Sequence, residues 1–250
     1  MKRLTEAWFE FKGIRSDDMG ILIKQMPTRS LPGRNVTRKT VSGRNGTLSY
    51  GDITYKDVNV RLECDIRDES KLEAIFGWLN GEGRLRFSDE PDREYQAYVD
   101  KEYSRSCIHA RMTGQRFTIS WLCHPFRYQH PEAEEITITT SGKELHNPGT
   151  APALPRIEIR GSGDFAVTIG MQTVFFKDVT GGGIIIDSEL GDALTLDESQ
   201  LANDKMDGEM FEIQPGYNVV SWLTGGEDDE GNASSGVVTA MIITPRWRYF

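Results

Sequence analysis

Few residues in this chain have the types and spacing that bond chemistry needs. Cys107-Ile108-His109 and Cys123-His124 each set a thiol beside an imidazole, the donor types of a zinc site. Structural zinc uses paired ligand spacings, and neither segment has one; each lies beside or within a predicted strand. A Cys–His nucleophile pair needs one activated thiol, and nothing in the sequence marks which it would be. Asn203-Asp204-Lys205-Met206-Asp207-Gly208 opens like a calcium loop. Lys205 then takes the third ligand position, and Gln214 stands where a bidentate Glu is needed. The run Glu227-Asp228-Asp229-Glu230 reads as a solvated loop tip. Carboxylates paired for glycoside hydrolysis leave no trace in sequence, because their separation is spatial. No Gly-rich loop follows a strand and opens a helix, so nucleotide chemistry finds no cradle. The expectation is a chain with no catalytic residues, no metal ligands and no cofactor.

Other residues have types suited to gripping. Arg29, Arg34, Arg38, Lys39 and Arg44 make residues 29–44 basic, with few large apolar anchors. Asn45-Gly46 is the strongest two-residue hairpin signal, since both residues tolerate positive φ. Two readings stand: an arm that docks on a neighbouring subunit, or a solvated surface hairpin. At the other end, Val237 to Ile243 reads as a last strand that stops near Thr244, because Pro245 cannot donate to a ladder. Arg246, Trp247 and Arg248 follow, and Trp and Arg are enriched at interfaces. The alternative is that Trp247 caps its own core.

The elements that would position these groups are mainly strands. The chain has 250 residues, 38% hydrophobic and 10% aromatic, enough for a large core in one or two domains. No apolar run approaches the roughly 20 residues that cross a bilayer, and the charged start Met1 to Glu6 lacks a signal-peptide core. Three cysteines, Cys64, Cys107 and Cys123, suggest reduced thiols in a reducing compartment. The net charge of −9 is uneven: residues 1–130 carry 22 Lys+Arg against 18 Asp+Glu, and residues 131–250 carry 7 against 20. Such a shift suggests two units, 1–130 and 131–250, the second unsuited to nucleic acid or an anionic membrane. The first unit lacks the clustered basic footprint of a nucleic-acid binder. His124-Pro125 and the polar run from His130 to Glu135 break regular structure at the junction.

Within the first unit, Val58, Val60, Leu62, Cys64 and Ile66 alternate with polar residues, the clearest strand in the chain. Ala7-Phe9-Phe11, Ile21–Ile23, Leu85–Phe87, Tyr95–Val99 and Arg116–Cys123 read likewise. Ser70-Lys71-Leu72-Glu73 is a capping-box pattern, with Leu72, Ile75, Phe76 and Leu79 at helical spacing and Gly81 able to stop the helix. The second unit reads as short β-branched strands, among them 134–140, 156–160, 165–169, 173–176, 184–186 and 218–222. Gly161-Ser162-Gly163-Asp164 and Gly181–Gly183 read as turns between them, the pattern of an antiparallel sandwich. Tyr217 and Trp222 are candidate sugar-stacking aromatics, unless they belong to the core.

The order of motifs resembles the distal tail proteins of long-tailed bacteriophages, the siphophage tail component family. The resemblance rests on Phe9 through Ile21, Pro32-Gly33-Arg34-Asn35 with Arg44-Asn45-Gly46, and Trp78-Leu79 followed by Gly83 through Asp89 and Tyr95 through Val99. It continues through Cys123-His124-Pro125-Phe126, Asn147-Pro148-Gly149-Thr150, Ile186-Asp187-Ser188-Glu189, Gln214 through Asn218 and Pro245-Arg246-Trp247-Arg248. It implies a mainly β fold: a ring-forming, tail-tube-like first domain with one α-helix, and an outward galectin-like β-sandwich. It also implies a homohexameric ring at the tail tip, made in the bacterial host cytoplasm and carried in the virion. The implied partners are further copies of itself, the tail tube protein, a tail-associated protein, and receptor-binding or baseplate proteins. Arg34, Arg38, Arg44, Asn45, Gly46, Arg246 and Trp247 are the candidate subunit contacts, and the acidic insert Glu227 to Glu230 departs from the pattern. A carbohydrate-binding module that reads host glycans is the rival expectation.

Overall fold

A computed structural model describes residues 7–51, 54–66, 68–99, 115–224 and 236–250. Cys107-Ile108-His109, the Glu227–Glu230 run and the first six residues lie outside them. The fold is mainly β, and its contacts divide it into two compact units, Met1–His130 with Phe250, and Pro131–Tyr249.

In the first unit the strands are β1 (Phe9–Phe11), β2 (Ile14–Arg15), β3 (Ile21–Ile23), β4 (Thr37–Thr40), β5 (Thr47–Tyr50), β6 (Val58–Ile66), β7 (Gly81–Phe87), β8 (Glu90–Val99) and β9 (Gln115–Gln129). An antiparallel path runs β2-β1-β7-β8-β9-β6-β3. The alternation of β6 puts Val58, Val60, Leu62, Cys64 and Ile66 into the core, as period-two patterning requires. Trp121 lies at the centre of that core, fully buried against Phe9, Phe11 and Phe87.

The helix α1 (Leu72–Trp78) closes the core with Ile75 and Trp78. Trp78 stacks on Phe9 at 5.5 Å and donates its indole N–H to the Phe11 carbonyl at 2.8 Å. The expected capping box does not form. Ser70 instead donates its hydroxyl and backbone N–H to Asp68, and a 3-10 turn, Glu69–Lys71, leads into the helix. A nearer carboxylate has won the serine, the usual competition of local side-chain bonds with caps.

Strand β9 also corrects an expectation, since it runs through His124-Pro125. Pairing with β6 stops at Cys123, and the β8 register slips between Tyr95 and Ala97. Pro125 therefore falls at a bulge, where a nitrogen that cannot donate costs no ladder bond.

In the second unit the strands are β10 (Ile136–Ile138), β11 (Lys143–Asn147), β12 (Arg156–Ile169), β13 (Gln172–Val179), β14 (Gly183–Asp187), β15 (Asp192–Thr195), β16 (Met206–Asp207), β17 (Gly216–Leu223), β18 (Val237–Thr244) and β19 (Arg248–Tyr249). Two antiparallel layers share one strand. The first half of β12 pairs with β18 and β14, and its second half with β17 and β13. The segment Gly161–Asp164, expected as a turn, is the bend in this single strand. Register shifts at Arg160/Gly161 and Gly163/Phe165 let β12 leave one layer and enter the other. Gly161 and Gly183 have no room for a side chain, because a Cβ would strike the carbonyl oxygens of Val237 and Ile159. Between the layers lies a core that includes Ile157, Ile159, Phe165, Phe176, Phe211 and Ile243.

Candidate subunit-contact surfaces

The basic segment forms a separate two-stranded ribbon, β4 with β5. Thr40 pairs with Thr47, so six residues, Val41 to Gly46, make the loop in place of a tight Asn-Gly turn. Gly43 and Gly46 both adopt positive φ there, which glycine alone does cheaply. Pairing and alternation put Thr37, Lys39, Val41, Leu48 and Tyr50 on one face, and Arg38, Thr40, Thr47 and Ser49 on the other. Neither face is buried: of the described residues 33–51, all but Leu48 are exposed. An isolated two-stranded ribbon is marginal in water, and this one carries Val41 and Tyr50 exposed and Leu48 half-buried along one face.

The base of this arm is anchored to its own unit. Asn35 N–H donates to the Thr54 carbonyl at 2.9 Å, Lys56 N–H to the Gly33 carbonyl at 2.8 Å, and the Asn35 amide to the Thr54 hydroxyl at 3.0 Å. The Arg34 guanidinium lies 5.6 Å from the Tyr55 ring centroid, and Tyr55 packs on Phe126 and Phe250. Arg29 at the arm's root ion-pairs Asp89 at 2.7 Å and Glu90 at 3.5 Å. Arg34 is thus a root residue packed on its own tyrosine. Arg38 lies on the ribbon, and Arg44, Asn45 and Gly46 lie in its terminal loop. Between Thr28 and Gly51 there are five basic residues and no acidic one, so the ribbon and its root are cationic.

The C-terminal candidates are held inside the second unit. Trp247 is 5% exposed and belongs to the core. Arg246 grips Asp187 through two parallel bonds, Nη1 to Oδ1 at 2.6 Å and Nη2 to Oδ2 at 2.8 Å, with Glu189 at 3.3 Å. The fork matches the carboxylate, and Asp187 is buried. Burial pushes the Asp187 carboxyl up. The Arg246 bonds and charge, with the Leu190 and Glu189 N–H groups, outweigh that and leave it below the ordinary carboxylate range.

Other motifs of this unit serve turns in the same way. Asn147 is buried, accepts from Gly149 N–H at 2.7 Å and donates to the Ile213 carbonyl at 2.8 Å. Asn218 is buried and donates to the Gln214 carbonyl at 2.7 Å. These residues therefore fix loops and do not reach outward.

Of the Cys–His pairs, Cys123-His124 is the one among the described residues, and its two side chains are separated. In β9, Cys123 faces the core and His124 faces solvent, so strand alternation splits that pair. Cys64 and Cys123 are free and buried; burial pushes both thiols up, Cys123 to about 12. Residues Asn203–Lys205 form a 3-10 turn that leads into β16, in place of a calcium loop. Among the described residues no cluster of three or more His, Cys, Asp or Glu could hold a metal. Of the two candidate aromatics, Trp222 packs against the core while Tyr217 is 78% exposed, its ring 4.7 Å from that of His146. Sequence reasoning missed the wider sheet face on which Tyr217 stands, because period-two alternation alone does not say which side is buried.

The sequence matches no protein-family model and none of the curated proteins. Among solved structures the fold is similar to that of the Dit protein of phage SPP1, described as a paradigm of the hub adsorption apparatus in phages infecting Gram-positive hosts. That likeness covers 98% of this chain and 99% of the other, with a TM-score of 0.71 at 14% identity. The baseplate of phage P2 in its activated conformation with calcium aligns over 95% and 97%, with a TM-score of 0.42 at 10% identity.

Proposed function

We propose that this chain is a structural hub of a phage tail tip and not an enzyme. The observation that carries the reading is the fold likeness to SPP1 Dit, which runs through both units over nearly the whole length of each chain. The arm supplies the means of assembly. A cyclic ring closes through head-to-tail contacts between two different, complementary surfaces of neighbouring subunits, and a protruding element can supply one of them. The ribbon of β4 and β5, exposed, basic and apolar along one face, is such an element.

In this reading six copies close into a ring. The first unit builds the ring and continues the channel of the tail tube protein, and a tail-associated protein docks beneath it. The second, galectin-like unit receives receptor-binding or baseplate proteins. Its excess of 20 acidic over 7 basic residues favours partners with cationic surfaces. Light scattering on the purified full-length chain tests the assembly step. A mass near six times 28.2 kDa at high concentration supports it. A monomer at every concentration and salt would refute it.

A further inference from the structure

The second unit has a sheet face that nothing among the described residues covers. Along β17, Asn218 and Val220 are buried while Tyr217, Val219 and Leu223 stand outward, 78%, 48% and 68% exposed. Leu223 pairs with Ala166, and Ala166 pairs with Phe175 of β13, which is also exposed. At the margin, Gly170 N–H donates to the Val219 carbonyl, and the next residue, Met171, is almost wholly exposed. Five of the eight exposed large apolar side chains described in this unit therefore share one face or its rim. Single exposed apolar residues are ordinary, but several gathered on one sheet face, here on either side of a row formed by Ser221, Thr168 and Thr173, mark a place where another molecule sits.

The rim indicates what kind of molecule. Glu144 is the register partner of Val219, and Asp207 that of Phe175. Residues 206–224, which lead into and form β17, contain Asp207, Glu209 and Glu212 and no Lys or Arg. Lys177 on β13 is the basic residue among the outward positions of that strand. In the middle of the face the hydroxyls of Thr168 and Thr173 are bonded to each other at 2.9 Å. We propose that this face seats a protein partner presenting an apolar patch ringed by lysine and arginine. The inference rests on the tail-hub reading and adds to it the location and chemistry of the outer attachment site. Apolar contact supplies the affinity, and the opposed charges fix orientation and raise the association rate.

The test is a photo-cross-linker, p-benzoylphenylalanine, in place of Val219 in the full-length chain within assembled tails. The same group in place of Leu190, exposed but off this face, is the control. Capture of one tail-tip protein from position 219, through a peptide containing Lys or Arg and at least tenfold above the control, is the expected result. Val219→Glu with Leu223→Glu should then reduce incorporation of that protein at least tenfold while the chain itself still enters tails. Equal capture from both positions, capture of a glycan, or no capture in tails that contain the chain would overturn the proposal. Absence of the chain from tails altogether would instead sink the hub reading, and this inference with it.

Discussion

Replacing Asp187 with Asn should destabilise the second unit by about 2 kcal/mol at pH 7. Removing one partner of a buried ion pair costs roughly 3–5 kcal/mol when the other charge is stranded. Here the loss is smaller for two reasons: the Arg246 side chain is partly exposed and keeps Glu189 at 3.3 Å, and an amide oxygen can still accept from the Glu189 and Leu190 N–H groups. At about 4 °C per kcal/mol for a unit of this size, melting should fall by roughly 8 °C. The pH dependence carries the sign. The carboxyl is depressed in the folded state, so its contribution is complete above the unfolded value near 4 and fades as pH falls through the folded value. The wild-type and variant curves should converge toward pH 3. Arg246 has φ 48°, so Arg246→Gly should lose the pair yet recover about 1 kcal/mol relative to Arg246→Ala. Calorimetry across pH 3–7 decides. A variant within about 0.5 kcal/mol of wild type at pH 7, or a gap undiminished at pH 3, would refute the reasoning.

Three further outcomes follow from the same structure. Leu48→Ser with Tyr50→Ser, on the exposed arm, should leave the melting temperature within about 2 °C while abolishing higher-mass species in sedimentation. Gly183→Ala should destabilise by about 1–3 kcal/mol in denaturant unfolding, since its Cβ would strike the Ile159 carbonyl and crowd the Arg160 Cα. In a Cys107→Ser background, Cys64 and Cys123 should resist a thiol reagent at pH 8 until the chain is unfolded, because burial holds both as neutral thiols.

The sequence disclosed what a local pattern can encode. The alternation over Val58–Ile66 specified both a strand and its buried face, and Pro245 ended β18 at Thr244. Long-range competition stayed hidden. Ser70 had the right spacing to cap a helix, but Asp68 took its hydroxyl. Gly161 to Asp164 has the composition of a turn, yet only the positions of β18 and β14 make it a bend in one strand. Arg246 and Trp247 are interface types by composition. The pairing of Arg246 depended on Asp187, 59 residues away, and the burial of Trp247 on a core no local window contains. The arm was legible as basic and poorly anchored. Its apolar face emerged only once the register set Leu48 and Tyr50 beside Lys39 and Thr37.

The claim on which the rest depends is that copies of this chain close on one another through the arm. Negative-stain electron micrographs of the purified full-length chain, beside a variant with residues 37–50 replaced by a short Gly-Ser turn, test it most directly. Annular particles with a central hole and six-fold averages for the intact chain, and none for the variant, are the expected result. Isolated particles in both samples, or rings that survive loss of the arm, would contradict it.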